Sequence, residues 1–229
     1  NFMCGITAFS GKEEALPFLL QGLSKLEYRG YDSAGVTLVD KDKLFTIKTK
    51  GRLQNLVDRL DQDTPVGHVG IGHTRWATHG IPSNLNSHPH TNNDNTISLV
   101  HNGIIENYRE LKEELLAKGY HFHSETDSEV VVHLLDSYYQ GDLLEALKKV
   151  IKRIEGSYAL CIVSTLEPDV VYVTKKDSPI VLGVNSDASF AASDIPALLD
   201  YTKDVYFIKD YEIAKLCKGK IIFYDANGN

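Results

Sequence analysis

Residues 3–11, Met3-Cys4-Gly5-Ile6-Thr7-Ala8-Phe9-Ser10-Gly11, are small or apolar almost throughout and run into a glycine. A run this short reads as a buried strand closed by a turn. What covers it decides the fold. Residues 13–26 supply one cover: Ala15, Leu16, Leu19, Leu20, Leu23 and Leu26 recur at three- and four-residue steps, which predicts an amphipathic helix packed on the sheet.

Working outward, strands are predicted over 35–39 and 44–48 around a turn at 40–42, and a short helix over 53–60. Further strands are expected at 69–74 and 96–101. Helices are expected over 106–118, ending at Gly119, over 128–139 and over 143–154. Beyond them come short β-branched runs at 158–163, 170–174, 205–208 and 221–224, which suggest an antiparallel sheet. Helices grouped in the middle and strands at both ends predict one α+β domain of sheets flanked by helices. A chain of 229 residues with 42% hydrophobic side chains is large enough for it.

Composition removes several classes of function. A net charge of −7 leaves no basic footprint for nucleic acid. No apolar run approaches the ~20 residues of a membrane span, and no signal peptide opens the chain, so no membrane partner is expected. Three cysteines, Cys4, Cys161 and Cys217, are too few and too irregular for a disulfide framework, which points to a reducing cytoplasm. Cys161 and Cys217 lie in apolar runs and read as buried packing. Met3 is the only methionine, so Asn1 and Phe2 read as additions ahead of an initiator, with the domain proper at 4–229.

Cys4 admits a sharper reading. Removal of Met3 would leave a thiol and a free α-amine on one residue. The amine's reference pKa of about 7.7–8.0 lies close to the thiol's of about 8.5, so a proton moves between them at little cost. The competing reading is a small buried hydrophobe in a first strand. Two loops resist explanation by packing: 27–33, and the stretch holding His79, Pro82, His88, Pro89 and His90. The histidines, with His73 and His101, suggest a metal, yet their spacing matches no zinc finger or HExxH helix. No metal and no cofactor are expected.

Four segments then stand together: MCGI at 3–6, LEYRGYDSAG at 26–35, HTRWATHG at 73–80 and HNGIIEN at 101–107, with SETDSE at 124–129 as a fifth. In this order they resemble the class II, N-terminal-nucleophile glutamine amidotransferases over nearly the whole chain. The resemblance implies a four-layer αββα sandwich with two mainly antiparallel sheets and Cys4 as nucleophile. It implies hydrolysis of glutamine to glutamate and ammonia through a Cys4 thioester, the Cys4 amine acting as base, then acid, then base. Asn102, through its amide, and Gly103, through its N–H, would hold the oxyanion. Arg75 and Asp127 would take the α-carboxylate and α-ammonium of glutamine, Thr78 and His79 would support the carboxylate, and Trp76 would wall the pocket. Arg29, Gly30 and His88 would support the site from behind.

Without the resemblance, Asn102-Gly103 also reads as a type I′ turn, Arg75 as a surface ion pair and Asp127 as a helix cap. The wording of 26–33 and 73–79 favours the branch in which a following sugar-isomerase domain of the same polypeptide uses the ammonia to convert fructose 6-phosphate into glucosamine 6-phosphate. Full length, such a protein is expected to be a homodimer. Amidophosphoribosyltransferase, asparagine synthetase and glutamate synthase are alternatives of the same chemistry. A glutamine-sensing module and a histidine-rich metal protein are alternatives of other classes.

Overall fold

The computed structural model describes residues 4–27, 32–60, 64–76, 83–225, 227 and 229. The expectations placed on Arg29, Gly30, Thr78 and His79, and on residues 1–3, lie outside the described residues. In chain order the elements are β1 (Gly5–Gly11), α1 (Ala15–Lys25), β2 (Ser33–Asp40), β3 (Lys43–Lys50), α2 (Leu53–Leu60), β4 (Val69–Arg75), β5 (His90–Thr91), β6 (Ile97–Ile105), α3 (Tyr108–Ala117), α4 (Glu129–Tyr138), α5 (Leu143–Arg153), β7 (Gly156–Ser164), β8 (Val171–Lys176), β9 (Val181–Val184), β10 (Ala188–Ala192), β11 (Val205–Phe207), β12 (Ile213–Cys217) and β13 (Lys220–Tyr224).

The strands form two sheets, ordered β11-β9-β10-β1-β4-β2-β3 and β13-β12-β8-β7-β6-β5. Every adjacent pair is antiparallel. Successive side chains of a strand take opposite faces, and here both faces are covered. Along β1, Ile6 and Ala8 enter the core between the sheets, while Phe9 enters the core under α1 and α2. Along β7, Ala159, Cys161 and Val163 face the first sheet, and Tyr158, Leu160 and Ile162 face α3, α4 and α5. The result is four layers: α1 and α2, the seven-stranded sheet, the six-stranded sheet, then α3, α4 and α5. This is the αββα sandwich that the resemblance implies.

The helices follow their apolar spacing. In α1, Ala15, Phe18, Leu19, Gly22 and Leu23 are buried, and Phe18 meets Phe190 with ring centroids 4.9 Å apart. In α5, Leu143, Ala146, Leu147 and Val150 are buried, and the Asp142 side chain accepts from Glu145 N at the N-terminus. No helix among the described residues is long and apolar enough to cross a membrane.

Four strands, β5, β9, β10 and β12, were not foreseen. β10 (Ala188–Ala192) is made mostly of small residues that carry little strand preference; its pairing with β1, Phe9 opposite Phe190, makes it one. Cys161 is fully buried, as expected, but Cys217 is only half-buried. It is the last residue of β12, beside the turn at Lys218-Gly219, where the core ends. The largest departure is in β6, which continues through Asn102 and Gly103 to Ile105 where a turn was one reading.

Candidate active site

Cys4 precedes β1, whose neighbour β4 pairs Thr74 with Gly5 and therefore ends beside it at Arg75 and Trp76. Trp76 N donates to Cys4 Sγ over 3.1 Å. Gly5 N donates to Thr74 Oγ1 over 3.2 Å and Ile6 N to Ser193 Oγ over 3.0 Å, so the backbone after the cysteine is tied on both flanks. Burial pushes the Cys4 thiol up; the Trp76 N–H opposes this, Asp32 adds to it and Arg75 opposes it.

The second sheet meets the first here. Asn102 of β6 donates from Nδ2 to the carbonyl oxygen of Cys4 at 2.8 Å. Gly103 follows with φ +116°, and a Cβ on it would lie 2.3 Å from Ser157 O of β7, so only glycine fits. β5 pairs only with Leu99 and Ser98 of β6. Further along that edge His101 N donates to His88 Nδ1 at 3.3 Å and Ile105 N to Asp127 Oδ2 at 2.7 Å. Asp127 is thus engaged across the site rather than capping α4, whose cap position is Ser128.

These groups line a cavity of about 260 Å³ that includes Cys4, Arg75, Trp76, His88, Asn102, Gly103 and Asp127. Arg75 and Asp127 are 3% and 2% exposed, which brings a cation and an anion to one buried wall; Trp76, 36% exposed, stands at the rim. Arg75 is therefore no surface ion pair. The described residues expected to form the site are all brought together: Cys4, Asn102, Gly103, Arg75, Trp76, Asp127 and His88.

One wall of the cavity is a packed set of imidazoles, in which His73, His88 and His101 reach the cavity and His90 packs behind them. His73 stacks on His88 with centroids 4.0 Å apart and 16° between planes, and His88 meets His90 at 4.7 Å. His73 Nε2 lies 3.1 Å from His101 O and 3.0 Å from Asn102 Oδ1. Thr126 Oγ1 is 2.9 Å from His90 Nε2, and Ser128 Oγ 2.7 Å from His101 Nδ1. Burial drives His73 down to about 3 and takes His88 and His90 well below the usual histidine range. At least one ring nitrogen of each of these histidines is used in this network, and among the described residues no three His, Cys, Asp or Glu side chains form a metal-holding group.

The 124–129 segment is held by its last residue. Glu129, 2% exposed, accepts from His123 N at 2.9 Å, Ser124 N at 2.7 Å and His133 Nε2 at 2.8 Å. Burial alone would raise its pKa; these bonds reverse that and hold it at about 2. Sequence reasoning missed Thr126, Ser128, Ser157 and Ser193. Their signal is spatial: Ser157 of β7 stands opposite Ile104 of β6, and Ser193 reaches the backbone of β1, placements seen only once the register is known.

A fold of two antiparallel sheets between helix layers, with a cysteine ahead of the first strand and an Asn-Gly pair across from it, defines a class, and comparison gives it a name. A family model described as a glutamine amidotransferase domain matches residues 73–200, more than half of the chain, and the chain belongs to that family. Glutamine–fructose-6-phosphate aminotransferase (isomerizing) of Clostridium acetobutylicum is 56% identical over 226 residues, covering 99% of this chain and 37% of its own length. The same-named protein of Aquifex aeolicus is 47% identical over 226 residues, with 99% and 38% covered. This chain thus spans a little over a third of the length of the curated relatives it matches. Among solved structures, glutamine phosphoribosylpyrophosphate amidotransferase of B. subtilis superimposes with a TM-score of 0.84 at 26% identity, over 99% of this chain and 50% of that one.

Proposed function

We propose that this domain, beginning at Cys4, hydrolyses glutamine to glutamate and ammonia. The Cys4 thiol gives its proton to its own α-amine, and the thiolate adds to the side-chain carbonyl carbon of glutamine. The carbonyl oxygen becomes an oxyanion facing the Asn102 amide and the Gly103 N–H. The carbon–nitrogen bond breaks as the protonated amine returns its proton to the leaving group, giving ammonia and a γ-glutamyl thioester. Water, deprotonated by the same amine, adds to the thioester; the carbon–sulfur bond breaks and glutamate leaves.

One observation carries this reading: a sulfur 3.1 Å from a backbone N–H shares its cavity with an asparagine amide bonded to the cysteine's own carbonyl. Asn102 gives one of its two N–H bonds to that carbonyl, leaving the other for a ligand. His101 N–H and Ile105 N–H both leave β6 on the cavity edge, and by the two-residue repeat of a strand the Gly103 N–H between them faces the same way. Arg75 and Asp127 are matched to the carboxylate and ammonium of a free amino acid. Within this reading Thr78 and His79 support the carboxylate, and Arg29, Gly30 and His88 support the nucleophile.

In a longer polypeptide we infer that the ammonia passes to a sugar-isomerase domain and onto fructose 6-phosphate, giving glucosamine 6-phosphate in a cytoplasmic homodimer. The aminotransferase relatives at up to 56% identity support this acceptor over phosphoribosyl pyrophosphate, whose amidotransferase stands at 26%. The test is glutamate release from glutamine by a chain beginning at Cys4, beside the same chain with Cys4→Ala and the chain carrying residues 1–3. Release by the first alone is expected, because an acylated cysteine nitrogen is no base. Equal release by Cys4→Ala removes the mechanism.

A further inference from the structure

The two ends of an asparagine side chain differ in chemistry alone, and the oxyanion role requires the NH₂ end toward the cysteine. Its surroundings decide which end that is. A carbonyl oxygen only accepts, so His101 O, 3.1 Å from His73 Nε2, requires a proton on that nitrogen. The same N–H reaches Asn102 Oδ1 at 3.0 Å, and Asn102 Nδ2 in turn reaches the Cys4 carbonyl at 2.8 Å. Turning the amide over would set NH₂ against N–H and oxygen against a carbonyl oxygen. Both contacts would be repulsive, and two hydrogen bonds would be lost.

His73 is itself held. It is 1% exposed and its face lies on His88. Its Nδ1 is buried with no hydrogen-bond partner among the described residues, so a second ring proton would have nothing to donate to. Burial, reinforced by His101 and Arg75 and opposed by the bond to Asn102, keeps the ring neutral. A neutral imidazole with one fixed N–H does not exchange protons with the substrate; what it offers is direction.

We propose that His73 is a positioning residue for the oxyanion donor: its Nε2–H locks the Asn102 amide with its own N–H bonds turned to Cys4. This rests on the glutaminase reading above. It makes the histidine of HTRW part of the catalytic geometry as the group that aims Asn102.

The test uses the chain beginning at Cys4, with His73→Leu and His73→Gln made alone and on an Asn102→Ala background. His73→Leu is expected to lower kcat about 10²-fold, the lower end of what losing one oxyanion donor costs, with little change in glutamine KM. His73→Gln, which returns an N–H near the place of Nε2, recovers most of the loss. On the Asn102→Ala background His73→Leu adds nothing further, because the group it aims is gone. Nitrogen-15 NMR of the parent shows the His73 ring protonated at Nε2 only and unchanged from pH 5 to 9. A loss that persists undiminished without Asn102, or a ring protonated at Nδ1, overturns the proposal. Should His73→Leu fail to fold, the glutamine variant and the tautomer decide it. A parent chain no more active than Cys4→Ala removes the glutaminase reading and this role with it.

Discussion

Two buried polar clusters flank the cavity, and they solve burial in opposite ways. Behind Cys4, His73, His88 and His90 have no carboxylate bonded to them among the described residues and stay neutral, their bonded nitrogens meeting a backbone carbonyl, a backbone N–H and a hydroxyl. Beside Asp127, Glu129 keeps its charge because two backbone N–H groups and His133 converge on it. The difference teaches that burial alone does not fix a protonation state. What matters is whether donors to the charged form are in place before water is excluded.

The largest way to break this contrast is Glu129→Ala, which leaves three donors without an acceptor, two of them on the buried residues Ser124 and His133. By the usual cost of breaking a buried charged network we expect a loss of about 3–5 kcal/mol, read as a denaturant midpoint shift. A loss below about 1 kcal/mol would mean that water replaces the carboxylate. Next, Asn102→Ala is expected to lower kcat for glutamate release by about 10²–10³-fold while shifting the melting temperature little, since the half-exposed amide serves the site more than the core. A large drop in stability with a small drop in kcat would reverse the assignment.

Acid titration separates the clusters directly. Below about pH 6.5 the unfolded chain protonates its histidines while the folded chain leaves His73, His88 and His90 neutral. Their contribution is therefore fully present above pH 6.5 and falls as pH drops, for His73 until about 3. Each can contribute up to about 1.4 kcal/mol per pH unit in that window. Glu129 stabilises above its ordinary value of 4.5, and that contribution is lost between 4.5 and about 2. Chemical denaturation at pH 7, 5.5 and 4 should show weakening already at 5.5, shallower in His73→Gln. A flat profile down to pH 5 would show these rings to be charged in the fold. The smallest effect is expected at the far end of β1, where Lys12 and Asp187 form an exposed pair at 3.1 Å. Lys12→Ala should cost less than about 1 kcal/mol by thermal melting.

The fold was legible where local pattern and tertiary placement agree. The spacing of leucines predicts α1 and α2 within two residues, and the uninterrupted run after Cys4 predicts a buried β1. β10 was not legible, because Ala-Ser-Phe-Ala-Ala becomes a strand only against Phe9 and its neighbours. The site divides similarly. Its motif residues stand in the sequence, but Asn102-Gly103 carries a turn signal that the long partnership with β7 overrides. The histidines grouped in the sequence pack ring against ring in the fold. Gly35 shows why: a Cβ there would sit 2.0 Å from the His88 carbonyl, so the imidazole stack depends on a hairpin far from it in sequence.

β1 lies third from neither edge but in the middle of the seven-stranded sheet, with β10 on one side and β4 on the other, and every residue from Gly5 to Gly11 is buried. The strand that follows the sulfur is paired on both sides along its length. On the glutaminase reading, much of the conformational freedom a tethered nucleophile would have to surrender at every turnover is removed once, when the sheet assembles. Each encounter with a substrate then meets a reactant already stationary, and the speed of the chemistry becomes a property inherited from folding.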